Sequence, residues 1–342
     1  MTRIGAFRTR TSVAFAPGHV TGMFCPAPPA RDPRARGSIG AGLVLSRGAW
    51  AFARWRIDGP PRTAVVDPDG RPLPISGDVA QRLRAGRPGS LRVQVVHELP
   101  VGSGFGMSAA GALATGVAVA ALAGHEMRVA IETAHLADLF GRGGLGGVAA
   151  VLHGGAEFRR SPGIPPFGEV VHRRWDWPVY LGVVGAALPT PRVLANDRRM
   201  AEVARAFEAA GGPLGRRATV PDALEAAERF TDALALAPPE LRRAIRELRR
   251  RGAWAAQAMF GRAFWAVPKS KSEVPAIERW LAAQPFPTWT VRTSRTGPRL
   301  VIGATDIETS LDRSRARRAG GGPGAALERN LRCGTKPTRV GT

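Results

Sequence analysis

Cysteine is nearly absent from this chain: Cys25 and Cys333 are the two in 342 residues. They are far apart, so they provide neither a disulfide framework nor metal-ligand spacing. Long apolar runs are missing too. The longest, around Ala112 to Ala123, is built of small residues and falls short of the ~18 needed to cross a bilayer. The opening MTRIGAFRTRTSVAFAPG is arginine-rich but has no apolar segment with a small-residue cleavage site. No membrane association is expected, and a cytoplasmic location is. Acidic side chains are scarce, 27 against 49 Lys plus Arg, which leaves a formal charge of +22. Such an excess invites a nucleic-acid reading. Aromatic residues are only 6% of the chain, however, and are not interleaved with the cations. Nearly all the cations are Arg, concentrated around Leu241 to Arg251 and after Asp312, as a coding bias toward Arg, Ala, Gly and Pro would produce. Nucleic acid is therefore not the expected partner. A field favouring anionic substrates is the milder consequence.

What is present suffices for a large core: hydrophobic residues make up 44% of the chain. Strand signals run from Ser12 to Phe15, followed by a turn at Pro17-Gly18. A Pro- and Arg-rich loop from Cys25 to Arg36 is expected to be exposed and mobile. Gly37 to Ser46 resumes a strand, and Ala64 to Ile75 reads as strand, Asp-Pro-Asp-Gly turn, strand. Helices are expected at Asp78 to Ala85, Ser108 to Ala123, Arg128 to Phe140, Arg198 to Ala210, Pro221 to Leu236, Pro239 to Arg251 and Val274 to Ala283. Ala253 to Val267 reads as helix passing through Gly261 into strand. The mixed order argues for an α+β chain in two halves, joined near Arg173 to Pro178. The boundaries this predicts are 1–175, 176–305 and a disordered basic tail at 306–342.

One stretch carries chemistry on its face. Pro100 to Leu113, PVGSGFGMSAAGAL, follows the strand LRVQVV and opens an alanine-rich helix. Gly102, Gly104 and Gly106 allow close backbone approach. The amides of Met107, Ser108 and Ala109 would present a helix N-terminus to phosphate. The loop lacks the Gly-Lys-Ser/Thr of a Walker motif and the full dinucleotide spacing. Read for shape alone, it is either a phosphate loop or a structural turn.

Several segments together resemble the GHMP kinase superfamily, and within it the archaeal pantoate kinases. Pro100 followed by Gly104-Phe105-Gly106-Met107-Ser108-Ala109-Ala110 matches the superfamily's Pro-xxx-Gly-Leu/Phe-Gly-Ser-Ser-Ala-Ala, with Met107 replacing the common first serine. APGHVTGMF, GSIGAGLVLSRG and AHLADLFGRGGLGGVAAVLHGGAEFR resemble the flanking blocks of the pantoate kinases, in order, and the likeness spans about residues 12 to 303. It implies a two-domain GHMP kinase fold, with an N-terminal ATP-binding half like the second domain of ribosomal protein S5 and a ferredoxin-like C-terminal half. It implies ATP-dependent phosphorylation of pantoate to 4-phosphopantoate, an early step of coenzyme A synthesis, with Mg²⁺ as cofactor and a homodimer as a common assembly. The alternatives left open are another small hydroxy acid or amino acid as acceptor, or a catalytically weak relative with a binding or regulatory role.

The resemblance also assigns residues. Pro100, Gly102, Ser103, Gly104, Phe105, Gly106, Met107, Ser108 and Ala109 would form the ATP loop. Ser108 would provide a Mg²⁺-linked hydroxyl, although a capping serine would look the same. Asp138 stands where the family has a Mg²⁺-binding glutamate, one methylene shorter. Gly147, nine residues on, occupies the position of the catalytic aspartate, and Gly143 that of a threonine. With no carboxylate at Gly147, three readings stay open: base-free transfer, replacement by another carboxylate, or binding without turnover. His19, Ser38, His135, Arg159 and Thr190 are the implied substrate-binding residues, Arg159 as a bidentate clamp for a carboxylate.

Overall fold

The computed structural model describes residues 7–185 and 197–309. Two very long strands organise it. β1 (Phe7–Pro26) and β2 (Ser38–Arg56) pair antiparallel from Thr9 opposite Arg56 to Pro26 opposite Ser38. β2 serves two further neighbours. Its second half, from Ala49, pairs with β4 (Ser90–His97), and Gly40 to Leu43 pairs with β5 (Ala156–Arg159). β3 (Arg62–Val66) runs parallel to β4, and β6 (Val170–Arg173) completes the other branch beside β5.

The turn expected at Pro17-Gly18 is instead a register shift within one strand, because β2 stays paired on both sides of it. A Cβ on Gly18 would come within 3.0 Å of Met107 Cε, the Arg47 carbonyl and the Phe105 carbonyl, so the phosphate loop rests directly on the bulge. The loop from Cys25 to Arg36 is also not the free excursion expected. Asp32 accepts a hydrogen bond from the Arg34 amide at 2.9 Å and caps a 3-10 turn at Pro33–Ala35. Arg34 lies over the Phe167 ring at 4.3 Å and reaches Glu132. The second strand expected before Ile75 is reduced to a single bridge between Val66 and Pro72, because Pro74 opens α1 (Pro74–Arg84).

α2 (Met107–Ala123) is buried all round, as its alanine, valine and glycine composition requires. It packs on β1 and β2 and against α1 and α3 (Met127–Phe140). Gly116 allows close helix crossing: a Cβ there would sit 3.1 Å from the Ala130 carbonyl. After the short α4 (Gly147–Ala150) and the β5–β6 hairpin, the chain crosses to a second sheet.

That sheet contains β7 (Pro178–Val183), β8 (Ala253–Gln257), β9 (Ala263–Pro268) and β10 (Thr288–Arg292), in the order β10-β7-β9-β8. This is the ferredoxin-like arrangement. Ala253 to Gln257 is a strand, not the helix expected. All five of its residues are buried, and in that layer pairing with β9 overrides alanine's helical preference. α5 (Asp197–Ala209), α6 (Val220–Leu234), α7 (Pro239–Arg250) and α8 (Val274–Ala282) accompany the sheet. α6 starts on a reciprocal capping box between Thr219 and Asp222 and packs on both β1 and β8. The main core therefore continues across both sheets, from Phe24 to Phe230 and Trp265. The arginines of α7 occupy the outer side of an amphipathic helix whose Leu241, Ala244, Ile245 and Leu248 are buried at helical spacing.

β11 (Arg299–Thr309) leaves the second half and pairs antiparallel with β1, matching Phe7 to Thr309. Residues from 299 thus belong to the first sheet, across the division expected at 175/176. The tail beyond 309 lies outside the described residues. Among the described residues, no helix is long and apolar enough to cross a membrane.

Candidate active site

The cleft lies where the bulge of β1, the loop before α2 and the loop before α4 converge. Its first wall is the glycine loop. Gly102, Gly104 and Gly106 all have positive φ, 80°, 84° and 70°, and Gly106 is the N-cap of α2. The amides that follow are the unpaired donors of a helix start, aimed into the cleft. The loop is held by the His19 amide, which donates to the Phe105 carbonyl at 3.1 Å, and by Phe105 itself, buried edge-on against Trp289 of β10. A Cβ on Gly104 would lie 2.3 Å from the Ala258 carbonyl oxygen. Gly104→Ala is accordingly expected to cost at least about 2 kcal/mol of stability and to weaken nucleotide binding tenfold or more. Denaturant titration together with ATP titration checks this, and unchanged binding would remove the loop from the site.

Met107, where the superfamily commonly has serine, is a packing residue. It is buried, with its Cε beneath Gly18. Ser108 is next, and its Oγ donates to Asp138 Oδ1 at 3.1 Å across the gap between α2 and α3. Asp138 is 2% exposed, and burial pushes its carboxyl up to about 6, opposed by the Ser108 hydrogen bond. Gly143 makes that pairing possible. A Cβ there would fall 2.1 Å from Asp138 Oδ1 and 2.6 Å from Ser108 Oγ. With the acid and hydroxyl in these positions, only glycine fits at 143. Gly147 begins α4, and a Cβ on it would meet Ala109 Cβ at 2.8 Å. The absent aspartate could not simply be put back.

The second wall comes from the long strands. His19 and Thr21 line it from β1, Ser38 from the start of β2, and Arg159 from β5. Ser38 Oγ and Arg159 Nε converge on Gly146, at 2.9 and 3.0 Å from where its Cβ would be. Arg159 is buried, and its Nε has no hydrogen-bond partner among the described residues, so a donor remains for an anion. Its Nη1 donates to Glu157 Oε1, which also accepts from His19 Nε2 at 2.9 Å. Burial pushes the Glu157 carboxyl up, but Arg159 and His19 outweigh this and hold it below the ordinary range.

Of the residues expected here, Gly102, Gly104, Phe105, Gly106, Met107, Ser108, Ala109, Asp138, Gly147, His19, Ser38 and Arg159 line one cleft. Pro100 and Ser103 shape the loop from behind, Ser103 buried with its backbone against Gly261. His135 is not brought to the cleft. Its ring faces the backbone of Pro33 and Arg36. Thr190 lies outside the described residues. Glu157 was not anticipated. The available signal was its place two residues before Arg159, on the same face of a strand. Phe24 and Met259 also line the cleft unanticipated.

A glycine loop at the start of a buried helix, with a hydroxyl–carboxylate pair beside it and a cationic wall opposite, is the site of a small-molecule kinase. The family of GHMP kinases N terminal domains matches residues 75–155. The chain belongs to the GHMP kinase superfamily. It is 33% identical to the pantoate kinase of Thermococcus kodakarensis over 245 residues, 69% of this chain and 80% of that one. To the pantoate kinase of Methanospirillum hungatei it is 29% identical over 265 residues, 76% of this chain and 89% of that one. A solved structure described as a phosphotransferase related to the CoA biosynthesis pathway superposes with a TM-score of 0.74 at 27% identity, covering 86% of this chain and 98% of the other.

Proposed function

We propose that this protein transfers the γ-phosphoryl group of ATP to a hydroxyl of pantoate, giving 4-phosphopantoate for coenzyme A synthesis. One observation carries the reading: the glycine loop with Ser108 and Asp138 faces Arg159, Ser38 and His19 across a single cleft. The first wall suits a polyphosphate, and the second suits a small acid bearing hydroxyls. Phosphoryl transfer demands little covalent chemistry from the protein, so placing these two groups in line is most of the task. The Arg159 guanidinium, buried with its Nε unpartnered among the described residues, would fix the acceptor's carboxylate. The relatives named as pantoate kinases support this choice of acceptor.

Ser108 and Asp138 fit Mg²⁺ in donor type: one hydroxyl and one carboxylate oxygen, both in the cleft, with no cation beside the buried acid. Among the described residues no group of three or more His, Cys, Asp or Glu could hold a metal unaided, so phosphate oxygens and water would complete the shell. Bound there, the ion would neutralise charge on the β- and γ-phosphates. Asp138 places its carboxylate for this, and Gly143 leaves it the room.

The test is ADP release by the purified full-length chain with ATP and Mg²⁺, offered pantoate, mevalonate, homoserine or shikimate. Turnover confined to pantoate is the expected result. Preference for another acceptor would reassign the substrate. ATP binding without turnover on any acceptor would make the protein a binding relative.

A further inference from the structure

The position where the GHMP kinase resemblance implies a catalytic aspartate is Gly147 here, and the glycine is backed by Ala109. The described residues offer few replacements within the cleft. Asp138 belongs with Ser108, and Arg159 is a cation. His19 is different: it lines the cleft, is 3% exposed, and stands between the two walls. Its backbone amide holds the glycine loop at Phe105, while its ring extends to the acceptor wall. The Nε2 edge of the ring lies over Gly42, where a Cβ would be 2.4 Å from Nε2, so only glycine allows this placement.

The hydrogen bonds select the tautomer. Glu157 is anionic and only accepts, so Nε2 must carry the proton at 2.9 Å from Oε1. The lone pair is then on Nδ1, whose only partner among the described residues is the Thr21 hydroxyl, a long contact at 3.5 Å. A neutral imidazole oriented through one nitrogen by a buried carboxylate, with the other nitrogen available, is the arrangement of a general base.

We propose that His19, positioned by Glu157, takes the proton of the acceptor hydroxyl in place of the aspartate absent at Gly147. This rests on the kinase reading above. In the step, Nδ1 accepts the hydroxyl proton as the acceptor oxygen forms its bond to the γ-phosphorus. The bond from that phosphorus to the β,γ-bridging oxygen breaks, and its electron pair leaves with ADP. The imidazolium is paired with Glu157 and later returns its proton to solvent. His19 is the catalytic residue and Glu157 a positioning residue. The charged and titratable groups facing His19 are Glu157 and Arg159 from β5 and His172 from β6, with Thr21 beside it on β1. Burial lowers the His19 pKa, as does Arg159, while Glu157 raises it, so the ring is neutral and able to accept near neutral pH.

The test uses the full-length chain with ATP, Mg²⁺ and pantoate from pH 5 to 9. His19→Gln is expected to lower kcat by about 10²–10⁴-fold, leave the ATP KM within about threefold, and remove the acidic limb of the kcat profile measured at saturating ATP and Mg²⁺, where a cation held by Asp138 would keep that carboxyl ionised. Glu157→Gln should lower kcat less and shift that limb to lower pH, because the carboxylate that raises the His19 pKa is gone. The further change Ala109→Gly with Gly147→Asp, made in the His19→Gln protein, should recover at least tenfold of the lost kcat. That rescue separates lost chemistry from lost structure, with nucleotide binding as the check on folding. His19→Gln with an unchanged kcat and acidic limb overturns the proposal. So does a raised pantoate KM at unchanged kcat, which would make His19 a binding residue. If pantoate is inert but another acceptor turns over, only the substrate reading fails, and the same profiles are measured with that acceptor. No turnover on any acceptor overturns both.

Discussion

Asp138→Asn is expected to lower turnover by on the order of a hundredfold or more while making the protein without ligands more stable at neutral pH. The two effects have one cause. Among the described residues the carboxylate's one hydrogen-bond partner is the Ser108 hydroxyl, and burial raises its pKa from 3.8 to about 6. A carboxyl raised in this way binds its proton more tightly in the folded state than in the unfolded one. It imposes no penalty below about pH 4. The penalty grows as pH rises between about 4 and 6, and above that it reaches about 3 kcal/mol at most. An amide keeps the Ser108 hydrogen bond without the charge. Thermal melts should therefore coincide for wild type and variant at pH 4 and separate by several degrees at pH 7.5, with the variant the more stable. Mg²⁺ with ATP should reverse the order by stabilising the wild type selectively. Equal melting temperatures at pH 7.5 would contradict this account of Asp138.

Arg159→Met should affect stability and substrate together. Without the guanidinium, Glu157 remains fully buried with His19 as its one partner. Removing one member of a buried pair costs about 3–5 kcal/mol, because the other charge is left uncompensated. The loss should be largest at neutral pH and shrink in acid. Glu157 is held below its ordinary range, so its contribution is present above the unfolded pKa and disappears as pH falls and it protonates. The acceptor KM should rise by about a hundredfold, the carboxylate having lost a charged, fork-shaped donor. Arg159→Met combined with Glu157→Gln separates the two effects. Stability should return in the double variant, but acceptor affinity should not. If both return, Arg159 serves the fold and does not touch the substrate.

The nucleotide side was legible in the sequence for a physical reason. A tight glycine turn opening a helix is specified by consecutive residues, and Ser108 and Asp138 sit at fixed places on two neighbouring helices. The acceptor side was only partly legible. His135 and Asp138 share a helical spacing, yet Asp138 meets Ser108 in the cleft while the His135 ring is held by the backbone of Pro33 and Arg36. Glu157 meets His19 across paired strands, a contact no local pattern encodes. The misread elements share one cause. Pro17-Gly18 has turn chemistry and Ala253 to Gln257 has helical propensity, but both lie where strand pairing on either side decides the outcome. Gly143 was recognised as a departure from the family, while its close approach to Asp138 and Ser108 emerged only in three dimensions.

The pairing of β11 with β1 also bears on how the molecule is made. The strand that carries His19 has its outer edge covered by residues 299–309, the last described part of the chain. On the ribosome, β1 emerges before the other described strands and its neighbour β11 after them. Until then, the edge of the catalytic sheet exposes unpaired amides and carbonyls, a template for pairing with other nascent chains. Closure of that edge joins the two most distant parts of the described chain, so it is expected to come late in folding. A protein cut short between β10 and β11 would keep its described cleft residues and lack the strand that pairs with β1.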